Sequence, residues 1–252
     1  MSPDRAKPLF SHVLFDVGDT LVPATRIAGI ALSRAVTCLV DSGMLPNPKR
    51  FEASFRTADA ARTGPRANHL YSSIETIQDA AARGGVPRSD LFAAAMYSVY
   101  REEVRKQLVP CRETIRLFAF LSSFAVRIGV VTDGTTSEQI ETLFRIGVLP
   151  YVGAVVTSEA VGVTKPCALL FERAMFELGA GNPSCTLMVG DSVERDVVGA
   201  KSVGMKTALL AKRSNSSAHA TDLPSPDFVI NHISEVRATI IPADRETSRW
   251  GG

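Results

Sequence analysis

Asp16 closes a short apolar run, His12-Val13-Leu14-Phe15-Asp16, and Gly18-Asp19-Thr20 follows before apolar residues resume at Leu21-Val22. A carboxylate at the end of a buried strand can attack as a nucleophile or hold a cation. On its own the segment reads better as a strand and an ordinary Asp/Gly turn. Three later segments change that balance. The run 125–131 ends in Thr132-Asp133-Gly134, Lys165 stands before Pro166 in the loop 162–166, and the run 185–189 ends in Gly190-Asp191-Ser192 with Asp196 five residues after Asp191. Carboxylates, a hydroxyl and an ammonium gathered at one crevice are more than core packing needs.

The elements that must position these groups follow from periodicity. Residues 13–15 have the β-branched and aromatic bias of a buried strand. From 23 to about 107 the chain is Ala- and Arg-rich with helical spacing. Ile27, Ile30, Ala31, Arg34, Ala35 and Cys38 trace one stripe, and Ser42-Gly43 stops it. Further helices are expected at 50–61, 70–82 and 90–106, so this block reads as a separate helical module. After Pro110 the pattern alternates. Strands are expected at 125–131, 154–156, 185–189, 207–210 and 228–230, with helices at 113–122, 137–145, 168–178, 194–203 and 233–240. Such alternation implies a Rossmann-like parallel sheet with helices on both faces, an α/β fold whose strand ends converge on one edge. The expected division is a core of 1–21 and 109–252 with a helical insert at 22–108. The stretch 214–226 reads as a surface loop, and 244–252 as a loose tail.

The chain has 252 residues, room for one large domain or a core plus an insert. With 45% hydrophobic and 21% charged residues it can build a full core. A net charge of +2 gives no electrostatic case for nucleic acid or an anionic membrane. No apolar run approaches the ~20 residues that span a bilayer. The first nine residues hold no apolar signal segment, so a cytoplasmic protein is expected. Cys38, Cys111, Cys167 and Cys185 are too scattered for a zinc site or a disulfide framework and are expected to be reduced, mostly core thiols.

The order Asp-x-Gly-Asp-Thr, a strand ending in Thr, Lys-Pro, then Gly-Asp-Ser-x-x-x-Asp resembles the haloacid dehalogenase superfamily of hydrolases. The likeness covers about residues 10–22 and 109–240, and the helical block resembles that family's inserted cap. The resemblance implies a Mg²⁺-dependent phosphatase that passes through an aspartyl-phosphate on Asp16. Asp16 and Asp191 supply hard oxygen ligands suited to Mg²⁺, and the family adds a backbone carbonyl two residues after the nucleophile, here Gly18. Thr132, with the loop residues Asp133 and Gly134, would hold phosphoryl oxygens, while Lys165 would neutralise charge and orient Asp16. Asp133 replaces the family's frequent Asn and is expected to turn away and cap the following helix. Asp196 either buttresses the loop or contacts metal-bound water, or is a helix N-terminal acid favouring the dipole; the two readings weigh equally.

Gly18 is the departure. Phosphatases of the family usually carry a second Asp there as general acid and base. Asp19 is adjacent, but its expected role is local turn hydrogen bonding. Family members that cleave carbon–halogen bonds or phosphonates also lack the second Asp. Yet the dehalogenases do without the metal-binding acids, and the phosphonate-cleaving branch needs a cap lysine in a motif that Lys49 and Lys106 do not provide. A dehalogenase-like or phosphonatase-like hydrolase, or a catalytically weak member that binds a ligand or partner, is therefore the alternative. In the cap, Arg66 and His69 beside the Gly64-Pro65 break are the best candidates for substrate contacts. The expected partner is a small phosphorylated metabolite, and the expected assembly a monomer or homodimer.

Overall fold

Six parallel strands form one sheet in the order β3-β2-β1-β4-β5-β6. They are β1 (His12–Phe15), β2 (Arg127–Thr132), β3 (Val152–Thr157), β4 (Thr186–Gly190), β5 (Lys206–Leu210) and β6 (Phe228–Ile230) in a computed structural model that describes residues 7–62, 73–86, 90–211 and 223–241. β1 pairs with β2 on one side and β4 on the other. A strand flanked on both edges and covered on both faces has no polar face, so Val13, Leu14 and Phe15 are fully buried. Alternation sends Val13 and Phe15 to one core and Leu14 to the other, where it meets Val131, Phe171 and Met188.

Register places the chemistry. Phe15 lies opposite Val130 and Val189, and the Asp16 N–H continues the ladder by donating to the Val189 carbonyl at 2.9 Å. Asp16 thus stands one residue past the β1 end, with Thr132 and Asp191 one row further out on the neighbouring strands. The chain builds outward from β1 to β3, then crosses back to start β4 on the far side of β1. That reversal opens a crevice between the carboxyl ends of β1 and β4, the usual ligand position in open α/β sheets.

Helices cover both faces. On one, α5 (Arg112–Ser123) buries Thr114, Leu117, Phe118 and Leu121, and Phe118 stacks on Phe15 with centroids 4.8 Å apart. On the other, α8 (Ala168–Leu178) buries Leu170, Phe171, Ala174, Met175 and Leu178, the spacing of one helical face. The remaining core helices are α6 (Thr136–Arg145), the single turn α7 (Ser158–Val161), α9 (Val198–Ser202) and α10 (Val236–Ile240).

Between β1 and α5 come α1 (Ala24–Asp41), α2 (Pro48–Ala60), α3 (Ile74–Gly84) and α4 (Asp90–Gln107). The local signals are plain. Asn47 accepts from the Arg50 N–H at 3.2 Å ahead of Pro48, and Ser73 accepts from the Thr76 N–H at 3.2 Å. Phe51 packs edge-on against Phe92, centroids 5.5 Å apart, tying α2 to α4. α4 is tied in turn to α6: Arg101 bonds Glu138 at 2.6 Å and Glu141 at 3.3 Å, and Arg105 bonds Glu141 at 2.8 Å.

Several expectations are corrected. The α1 stripe runs through Ala24, Ile27, Ala31, Leu32, Ala35, Val36 and Leu39, leaving Arg34 and Cys38 exposed. Cys38 and Cys167 are exposed and Cys111 and Cys185 half-buried, so the cysteines are unpaired surface and rim thiols rather than core residues. α3 starts at Ile74 because Ser73 caps it; residues 70–72 lie outside the described residues, as do most of 214–226 and all of 244–252. The helix expected at 194–203 is divided. Residues Val193–Val197 form one wide turn, in which the Val197 N–H reaches the Ser192 carbonyl at 3.2 Å, and only then does α9 begin. Wide turns of this kind concentrate at functional sites. Among the described residues no helix is long and apolar enough to cross a membrane.

Candidate active site

The Lys165 ammonium joins two carboxylates at the crevice floor. It lies 2.5 Å from Asp16 Oδ1 and 2.7 Å from Asp196 Oδ1. Asp16 and Lys165 are each 4% exposed and Asp196 1%. The Thr20 hydroxyl donates to Asp16 Oδ2 at 3.3 Å. One carboxylate oxygen each from Asp16, Asp191 and Asp196 lies within 4.8 Å of the others.

Each group is held by its own loop. Asp196 uses its second oxygen to accept from the Ser192 N–H at 3.1 Å, which bends the chain after β4 back under the cluster. A Cβ at position 190 would fall 2.2 Å from Asp196 Oδ2, so only glycine lets that carboxylate lie against β4. Lys165 and the Ser192 N–H thus hold one Asp196 oxygen each. Asp133 does not cap α6. Its Oδ1 accepts from the Lys165 N–H at 3.1 Å in the loop 162–166, while the start of α6 is served by Glu159, which accepts from the Thr136 N–H at 3.0 Å. The Asp133 carbonyl accepts from Gln139 Nε2 at 3.0 Å. Gly134, with φ +116°, spends its N–H on Ser158 Oγ at 2.8 Å, so it shapes the loop rather than offering that donor to a ligand. Thr132 is 2% exposed and its hydroxyl makes one long contact, 3.4 Å to the Asp133 carbonyl.

Asp19 sits at φ +59°. It accepts from the Thr25 hydroxyl at 2.5 Å and the Thr25 N–H at 3.1 Å, anchoring the first turn of α1. At Gly18 a Cβ would meet only Ala24 Cβ, at 3.6 Å, an ordinary contact. Arg66 and His69 lie outside the described residues.

Burial and mutual repulsion set the charge state of the floor. Burial pushes the Asp16 carboxyl up to about 7; Lys165 opposes this, and Asp196 and Asp191 add to it. Burial also works against the Lys165 ammonium, but Asp16, Asp196 and Asp133 outweigh it and hold the amine above the usual lysine range. Three carboxylates facing one ammonium leave the floor negative when all are ionised. Hard oxygen donors in a negative cluster fit a divalent cation such as Mg²⁺.

Three residues that shape the site have no role in the sequence reading. Thr20 follows Asp16 at i+4 and stands in the segment that marks the site. Ser158 and Glu159 steady the loop after β2, Glu159 by accepting from the Thr136 N–H at 3.0 Å; they carry no local signature.

Fold and site define a hydrolase of the haloacid dehalogenase kind. The family model for haloacid dehalogenase-like hydrolases matches residues 62–210, and the chain belongs to that family. It is 29% identical to a glyceraldehyde 3-phosphate phosphatase of Methanopyrus kandleri, over 90% of this chain and 96% of that one. It is 33% identical to a ribulose-1,5-bisphosphate 5-phosphatase of Halopiger xanaduensis, over 82% and 87%. Its fold matches the magnesium-bound HAD hydrolase YfnB of Bacillus subtilis with a TM-score of 0.67 at 20% identity, over 90% of this chain and 96% of that one.

Proposed function

We propose that the protein is a Mg²⁺-dependent phosphatase that hydrolyses a small phosphorylated metabolite through an aspartyl-phosphate on Asp16. The observation that carries this reading is the buried Lys165 ammonium held between Asp16 and Asp196, with Asp191 in reach. The phosphatase names of the relatives support the reaction class.

Asp16, Asp191 and the Gly18 carbonyl would hold the cation, whose chemistry is to neutralise phosphoryl oxygens so that two anions can meet. Asp16 attacks phosphorus and the ester oxygen leaves; water then attacks the same phosphorus and returns the carboxylate. Lys165 fixes the attacking carboxylate and offsets charge that grows on the phosphoryl oxygens. The Thr132 hydroxyl donates to one of them. Helices α1–α4 act as the cap that excludes water and selects substrate, with Arg66 and His69 as its proposed contacts. A screen of phosphorylated metabolites with Mg²⁺ and with excess chelator tests the reading. Turnover that needs Mg²⁺ and is lost in Asp16→Asn is expected; full turnover in chelator would refute it.

Gly18 favours a second reading, a dehalogenase-like hydrolase. Halide release from a 2-haloacid without added metal would establish it.

A further inference from the structure

Arg195 is a cation that nothing in the floor of the site uses. Its side chain is 37% exposed, whereas Asp16, Lys165 and Asp196 are almost fully buried. Its backbone is fixed: the Arg195 N–H donates to the Ser192 hydroxyl at 3.2 Å, and the next residue, Asp196, is pinned by Lys165 and the Ser192 N–H. Its guanidinium makes no hydrogen bond among the described residues, and its nearest carboxylate oxygen, Asp133 Oδ2, stands 3.9 Å away. Asp133 cannot close that gap freely, because its other oxygen holds the Lys165 N–H. Burial works against the guanidinium charge, but attraction from Asp16, Asp196, Asp133 and Asp191 outweighs it. Five N–H donors thus stand at the rim, in charge range of the nucleophile, with their hydrogen bonds left for water or a ligand.

Depth decides what the ligand is. The transferred phosphoryl group must reach the floor, where Asp16, Lys165 and Thr132 stand. A cation at the rim meets what lies between that phosphoryl group and solvent, which is the leaving part of the substrate. A planar fork of donors suits a carboxylate or phosphate there.

Resting on the phosphatase reading above, we propose that Arg195 is a specificity-determining residue that binds a second anionic group, a carboxylate or phosphate, on the leaving part of the substrate.

Phosphoglycolate and ethyl phosphate form a test pair, differing in a carboxylate where the other has a methyl group. A charge-assisted hydrogen bond of about 1.5–3 kcal/mol corresponds to roughly 10- to 150-fold. Wild type should therefore favour phosphoglycolate in kcat/KM, mainly through KM. Arg195→Gln should lower the phosphoglycolate to ethyl phosphate ratio by about tenfold or more, and Arg195→Lys should restore part of it. Equal losses on both esters, or no preference in wild type, would overturn the proposal while leaving the phosphatase reading intact. No hydrolysis of either ester or of a small aryl phosphate with Mg²⁺ would count against that reading instead. Calorimetric binding of both compounds to Asp16→Asn and to Asp16→Asn/Arg195→Gln makes the same comparison without turnover. Loss of the phosphoglycolate advantage in the double variant supports the contact, and its persistence refutes it.

Discussion

Lys165 reaches Asp16 across 149 residues of sequence and bonds it at 2.5 Å in the protein interior. A loop lysine is ordinarily solvated. This one is buried because two carboxylates, Asp16 and Asp196, compensate its desolvation, and each of those is in turn held by backbone or hydroxyl donors. The arrangement stores charge where a phosphoryl group would need it.

Gly18 makes the leaving group the sensitive variable. General acid catalysis contributes about 10²–10⁴-fold, and both Asp19 carboxylate oxygens accept hydrogen bonds from Thr25. Wild type should therefore be slow on alkyl phosphates and relatively faster on aryl and acyl phosphates. Because position 18 has room for a side chain, Gly18→Asp should raise alkyl phosphate turnover about tenfold or more. Asp19→Asn should leave the dependence on leaving group unchanged. If Asp19→Asn instead slows alkyl phosphates selectively and so steepens that dependence, while the fold and Mg²⁺ binding persist, Asp19 is the acid.

Gly190→Ala should disarm the floor without touching a charged residue. Its methyl group would occupy the place of the Asp196 carboxylate, so either that carboxylate or β4 must shift. Overpacking of this kind costs about 1–3 kcal/mol, and displacing Asp196 leaves Lys165 with one carboxylate. The expected outcome is a lower Tm together with a loss of kcat larger than the loss seen for a destabilised variant remote from the site. Unchanged kcat would show that Asp196 is not needed where it lies.

How much of this was legible follows from range. β1 and the strand ends carrying Asp16, Thr132 and Asp191 could be read because buried parallel strands are short apolar runs and polar residues stand out at their ends. α8 could be read because its stripe is regular. The partners of Asp133 could not, since its donor, the Lys165 N–H, is 32 residues away, and Glu159, 23 residues from Thr136, takes the N–H at the helix start. The wide turn at Val193–Val197 was hidden for a similar reason. It forms to aim Asp196 inward, and its local sequence is that of an ordinary helix start. Cys38 was misplaced because Leu32, Val36 and Leu39, rather than Ile30, Arg34 and Cys38, set the buried edge of α1.

Asp227 should make the sheet edge acid-sensitive. It accepts from the Thr207 N–H and hydroxyl, each at 3.0 Å, and from Lys201 at 2.9 Å and Lys206 at 3.1 Å, joining β5 to the start of β6. Burial is the largest single influence and raises its pKa, but the Lys201, Lys206 and Thr207 donors together outweigh it and hold the carboxyl far below the usual carboxylate range. A folded-state value below the unfolded value of about 3.9 means that the stabilisation is present above pH ~4 and disappears as pH falls through the lower value. Asp227→Asn should lower stability by about 1–3 kcal/mol at pH 7, with the gap closing below about pH 3. Denaturant unfolding of both proteins at the two pH values checks this; a constant gap would contradict it.

Trapping the covalent intermediate tests the account most directly. Wild type mixed with an aryl phosphate and Mg²⁺, then acid-quenched and analysed by peptide mass spectrometry, should carry one phosphoryl group on Asp16. The absent side chain at position 18 should prolong its lifetime, because water attack lacks a base, and Gly18→Asp should shorten it. Asp16→Asn, and wild type in chelator, should carry none. Turnover with no phosphoryl adduct under any quench time, or an adduct on another residue, would contradict nucleophilic catalysis by Asp16.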